Sequence, residues 1–195
     1  MALKDQAAQN PRNRGNESDG WNIRRLSAAL SAEVHGPELA RASQAEADAI
    51  RKLLVEHQVL FFPEQNLSVE EHVRLGEFFG ELDGYPQLKN PFTDHPNLFE
   101  LAAIHGGVAD EWHTDLTFLP EPALMSVLQM KRCPDIGGDT LWASLFAAYD
   151  ALPAPIKELC DGLSALHDAE PHGQPEKTAI HPVVRVHPET GRKAL

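Results

Sequence analysis

Cysteine is scarce in this chain: two in 195 residues, Cys133 and Cys160, with no metal-ligand spacing between them. That argues against a disulfide framework and against a cysteine-based structural zinc site, so both thiols are expected reduced and buried. Basic residues are also in short supply, with 17 Lys and Arg against 29 Asp and Glu, a formal charge of −12. A nucleic-acid surface needs clustered cations to displace counterions and is not expected here. Long apolar runs are missing too. The densest, Val59-Leu60-Phe61-Phe62, falls far short of the ~20 residues that span a bilayer. Met1 to Gly20 holds no apolar stretch of signal-peptide length. The expected location is the cytoplasm, and no membrane partner is expected.

What is present suits a globular protein. The chain is 42% hydrophobic and 24% charged, and its length accommodates one domain. Residues 1–20 are polar and read as a mobile tail. Order is expected from Trp21, with a short strand through Ile23 and Leu26. Two helices carry capping boxes: Ser43-Gln44-Ala45-Glu46 before the stripe Ile50, Leu53, Leu54, His57, and Ser68-Val69-Glu70-Glu71 before His72, Val73, Gly76 and Phe79. The Val59–Phe62 run between them reads as a buried strand.

Beyond Gly84 short apolar runs alternate with Pro and Gly. Strands are expected over Leu98–Ile104, Trp112–Phe118, Leu124–Met130 and Leu141-Trp142, the rhythm of a β-sandwich or barrel. A helical interlude follows over Leu145–Leu163, broken at Pro153 and Pro155, and Asp168–Lys177 reads as a loop. Strand character returns at Pro182–Val186. A turn at His187–Gly191 and a second strand from Arg192 to Leu195 complete a hairpin that has barely begun to return. An unpaired edge is a liability that folded proteins cover, so the expectation is a fragment cut in mid-domain.

His113 and Asp115, in Glu111-Trp112-His113-Thr114-Asp115, carry the candidate chemistry. In a strand, residues i and i+2 share a face, so an imidazole nitrogen and a carboxylate would converge on one ion while Trp112 and Thr114 turn into packing. Two His and one carboxylate on one face of an octahedron leave positions open for O2 and a co-substrate, as non-haem Fe(II) requires. With 10 His and 12 Asp in the chain, chance alone supplies ~0.6 His-x-Asp pairs, so the spacing by itself decides nothing. A zinc hydrolase would need a further His or Cys near His113.

The setting of the pair resembles the taurine dioxygenase/TfdA (TauD/TfdA) family of Fe(II)- and 2-oxoglutarate-dependent dioxygenases. The blocks run in family order: Ala32-Glu33-Val34-His35-Gly36-Pro37-Glu38-Leu39, His57–Phe62, Phe78-Phe79-Gly80-Glu81-Leu82, and Trp112–Phe118. Gly137-Gly138-Asp139-Thr140-Leu141-Trp142, Ala148–Leu152 and His181–Pro188 follow. The resemblance spans roughly residues 22–195. It implies an α+β fold with a double-stranded β-helix (jelly-roll) core and flanking helices, incomplete at the C-terminus. Residues 21–195 would form the N-terminal and central part of a single domain.

By the same resemblance, His113 and Asp115 are the first two iron ligands, and Thr140 helps bind the carboxylate of 2-oxoglutarate. Trp142 and Phe118 are expected in the core. His181 and His187 read as structural rather than as ligands, because this block precedes the family's distal His by many residues. That distal His, and the Arg that pairs with the far carboxylate of 2-oxoglutarate, would lie beyond Leu195.

The implied activity is an oxidoreductase that hydroxylates a small organic acid, sulfonate or sulfate ester with O2, releasing succinate and CO2. With two ligands of three, the isolated chain is expected to be a poor catalyst or inactive. Ala109 and the Asp83–Pro86 stretch depart from the taurine enzyme, so taurine itself is not expected. The other reading is a non-catalytic truncated member or binding module; a homo-oligomer is left open.

Overall fold

The computed structural model describes residues 20–83, 95–101 and 111–195. The expected N-terminal tail, save Gly20, lies outside the described residues, as do Gly84–Pro86 and Ala109. The chain divides into two compact units, one ending at Gln65 and one beginning at Asn66.

The first unit is a three-stranded sheet with one helix. β1 (Asn22–Arg25) pairs antiparallel with β2 (Ala32–His35), and β2 pairs parallel with β3 (Leu60–Phe61). A parallel pair needs a crossover, supplied by α1 (Gln44–His57). Its capping box forms as the sequence implies: Glu46 N–H donates to Ser43 Oγ at 3.3 Å and Ser43 N–H to Glu46 Oε2 at 2.8 Å. Alternation along β1 and β2 turns Ile23, Ala32 and Val34 inward with Trp21, and the helix stripe buries Ala47, Ile50, Leu53 and His57. Gly36, at φ +122°, lies against Trp21, where a Cβ would stand 3.1 Å from the indole. Only glycine combines that backbone angle with that approach.

In the second unit α2 (Val69–Glu77) starts with the expected box, Glu71 N–H to Ser68 Oγ at 3.2 Å and Ser68 N–H to Glu71 Oε2 at 2.8 Å. The helical interlude resolves into α3 (Leu145–Ala151) and α4 (Ala154–Cys160), separated at Pro153. β4 (Ser164–Ala169) and β5 (Gln174–Pro182) form an antiparallel hairpin closed by a short 3-10 turn over Glu170–His172. β6 (Arg185–Val186) pairs with β7 (Lys193–Ala194), the short C-terminal hairpin expected from the sequence. Among the described residues no helix is long and apolar enough to cross a membrane.

Several expectations are corrected. Trp112–Phe118, Leu124–Met130, Leu141-Trp142 and the described part of Leu98–Ile104 hold no strand. Apolar runs become strands only when a neighbour takes up their backbone groups. The 124–131 segment is instead tied at two points: His72 Nε2–H donates to the Val127 carbonyl at 2.8 Å, and Lys131 Nζ to that of Leu67 at 2.8 Å. Conversely, Asp168–Lys177, read as a loop, contributes to both strands of the β4–β5 hairpin. Pro171, Gly173 and Pro175 disguise it, because a two-stranded sheet is all edge and tolerates proline. Trp112 and Trp142 are 71% and 43% exposed instead of packed, and Cys133 is exposed. Phe118 is buried as expected.

Candidate metal centre

Asp115 opens a tight turn, closed by Leu119 N–H donating to the Leu116 carbonyl at 2.9 Å. His113 and Asp115 therefore do not converge by strand alternation. They converge through the bend: His113 Nε2 lies 3.3 Å from Asp115 Oδ1. Both side chains are more than half exposed.

The ring's protonation pattern follows from its other nitrogen. His113 Nδ1 lies 2.8 Å from the Glu111 carbonyl oxygen, which can only accept, so Nδ1 carries the hydrogen. In the neutral imidazole Nε2 then presents its lone pair toward Asp115. Histidines that bind metals are held this way, with the distal N–H spent on a carbonyl or carboxylate. Two lone-pair atoms facing each other repel unless a cation or proton sits between them. Metal bonds of about 2.1 Å at right angles would put the two donors about 3.0 Å apart, close to the observed 3.3 Å. The donor set, one imidazole and one carboxylate, suits a divalent first-row metal such as Fe(II). Among the described residues no third His, Cys, Asp or Glu joins the pair.

The turn itself is strained. Leu116, directly after Asp115, has φ +59°, a left-handed conformation that costs a non-glycine residue roughly 1–3 kcal/mol and persists only where its surroundings impose it. Those surroundings are the inner face of the β4–β5 hairpin. His181 is buried, and its Nε2 lies 2.8 Å from the Thr117 carbonyl and 3.0 Å from that of Leu119. His167 Nδ1 meets Thr117 Oγ1 at 2.9 Å, and the two imidazoles stack edge to face at 5.3 Å. Phe118 is buried against His172 at 5.4 Å.

Thr140 is exposed, beyond a turn at Gly137 and Gly138, whose φ values of +81° and +75° require glycine. Among the described residues no hydrogen bond or ion pair joins Thr140 to His113 or Asp115. His187 accepts from the Glu189 and Thr190 amides in its own turn. Thr117 and His167 were not singled out in the sequence. The available signal was the alternation of small residues and histidine, Ala165-x-His167-x-Ala169 and Ala179-x-His181, against outward Leu166 and Ile180.

Comparison with known proteins supplies the context. Residues 22–195 match the family described as "Taurine catabolism dioxygenase TauD, TfdA family". An alkylsulfatase of Acinetobacter baylyi is 33% identical over 203 residues, covering 92% of this chain and 63% of the relative. An alpha-ketoglutarate-dependent sulfate ester dioxygenase of Pseudomonas putida is 34% identical, covering 89% and 65%. The crystal structure of a taurine dioxygenase from Burkholderia xenovorans superposes with a TM-score of 0.76 at 37% identity, covering 90% of this chain and 62% of that one. The chain thus spans less than two thirds of the length of each.

Proposed function

The chain belongs to the taurine catabolism dioxygenase TauD, TfdA family, and from that premise we propose that it is part of an Fe(II)- and 2-oxoglutarate-dependent dioxygenase. The reaction is oxidation of a small organic acid, sulfonate or sulfate ester by O2, with 2-oxoglutarate converted to succinate and CO2. The jelly-roll core is part of the same proposal. One observation carries it: His113 Nε2 lies 3.3 Å from Asp115 Oδ1, close to the separation of adjacent metal ligands, while Nδ1 is engaged by the Glu111 carbonyl.

In this reading His113 and Asp115 hold the iron and Thr140 steadies the 2-oxoglutarate carboxylate. The metal and the keto acid supply the oxidising chemistry when bound. The residues of the chain supply position. The Glu111 carbonyl keeps His113 in the binding tautomer, and the Asp115 carboxylate contributes the negative charge that favours a divalent ion. Relatives named as an alkylsulfatase, a sulfate ester dioxygenase and a taurine dioxygenase make sulfate esters and sulfonates the first compounds to try.

The test measures, on a protein completed to the length of its relatives, Fe(II)-dependent succinate formation from 2-oxoglutarate against such a panel, with anaerobic Fe(II) calorimetry beside it. His113→Ala and Asp115→Ala are expected to abolish turnover and to weaken metal binding by more than about 100-fold, beyond the effect of losing a supporting partner. Turnover retained in either variant would remove that residue from the ligand set. Metal bound without turnover on any substrate would favour the binding-module reading.

A further inference from the structure

We infer that His181 is a positioning residue for the carboxylate arm of the metal pair, holding the strained turn that begins at Asp115 by one shared N–H. This rests on the metal reading above. Both oxygens at His181 Nε2, those of Thr117 and Leu119, are backbone carbonyls and only accept. Nε2 must therefore carry the hydrogen and share it between them. The two carbonyls flank Phe118, whose ring is buried. The turn is thus gripped at three consecutive residues, directly after the left-handed Leu116.

The grip comes from a different element, β5, more than sixty residues along the chain. His181 is placed by strand register: it pairs with Ala165, and His167 pairs with Ala179. Small partners on both sides leave room for two imidazoles on the inner face. His167 adds a second tie through the Thr117 hydroxyl. A leucine would not keep its left-handed backbone unaided, and a shift at Leu116 moves the Asp115 carboxylate away from His113 Nε2. Outer partners of this sort commonly set metal affinity without touching the ion.

The experiment uses the 195-residue chain with Co(II) as the probe metal and amide hydrogen exchange read over residues 115–119. His181→Leu keeps apolar volume and removes the donor; His181→Gln restores an N–H near the original Nε2. H181L is expected to weaken Co(II) binding about 10-fold and to speed exchange in the turn, with H181Q recovering most of both. A folded H181L with unchanged Co(II) affinity overturns the inference, as does an H181Q as impaired as H181L, which would assign the effect to ring packing. Should H181L not fold, His181→Phe carries the same test, because it keeps a ring in the place of the imidazole and removes the donor; a loss of about 10-fold is again expected, and an unchanged affinity again overturns it. Co(II) affinity indifferent to Asp115→Ala would overturn the metal reading and this inference with it. Affinity lost in D115A but kept in H181L would overturn this inference alone.

Discussion

The two units bury their apolar residues very differently. Among the described residues, the first unit contributes nine of the fifteen buried hydrophobic side chains, from Trp21 to Leu53, and exposes one large one, Leu26. The second contributes the other six and exposes seventeen, including the cross-strand pair Leu166 and Ile180 at 65% and 70%. The first unit is a closed piece of scaffold, with sheet, helix and caps in agreement. The second carries the candidate chemistry on turns and hairpins whose inner face is packed and whose outer face is apolar and open. The turn that carries the candidate ligands on such a framework depends on a few specific hydrogen bonds and on the buried Phe118 and His181.

Substitutions can break that contrast or sharpen it. The largest effect is expected from Ile50→Ala, which empties a filled site under α1 and should cost about 2–5 kcal/mol in urea unfolding. A loss below 1 kcal/mol would mean the first unit is not the closed core described. Ser43→Ala removes the oxygen that caps α1 and should cost about 1 kcal/mol by the same measurement. No loss would detach the cap from stability.

Acid should act on the first unit through His57. Burial pushes its pKa below the ordinary histidine value; Glu56 opposes the shift and Arg25 adds to it. The unfolded chain then binds the proton more readily than the folded one. Stability is full above the unfolded pKa, about 6.5, and declines as pH falls through the depressed folded value. His57→Gln should flatten that slope between pH 7 and 5; an unchanged slope would place the acid sensitivity elsewhere. The smallest effect is expected from Leu166→Thr on the open face, within about 0.5 kcal/mol. A loss on the scale of Ile50→Ala would show that this face is covered in solution and would erase the difference between the units.

What was legible in both units rested on local signals. Ser43 and Glu46, Ser68 and Glu71, the Ile50-Leu53 stripe and the β-rich Val59–Phe62 run act over three or four residues, and each formed. The break at Pro153 and the C-terminal turn at His187–Gly191 were local as well, whereas Pro155, also read as a break, sits inside the first turn of α4, where proline is tolerated. The strands expected over Trp112–Phe118 and Leu124–Met130 failed because a strand is a relation between two segments, and among the described residues these have no paired neighbour. The β4–β5 hairpin was hidden for the converse reason: pairing overrode a proline-rich composition.

The residue types and order of His113 and Asp115, within blocks that carry a family resemblance, were determined by the sequence alone. How the two side chains meet was decided by the tertiary structure, and differently from expectation. Alternation along a strand would have aligned them without help. A turn with Leu116 in a left-handed conformation aligns them only while Thr117 and Leu119 are held from β5 by His181, and no local pattern can announce a hydrogen bond between residues so far apart in the chain.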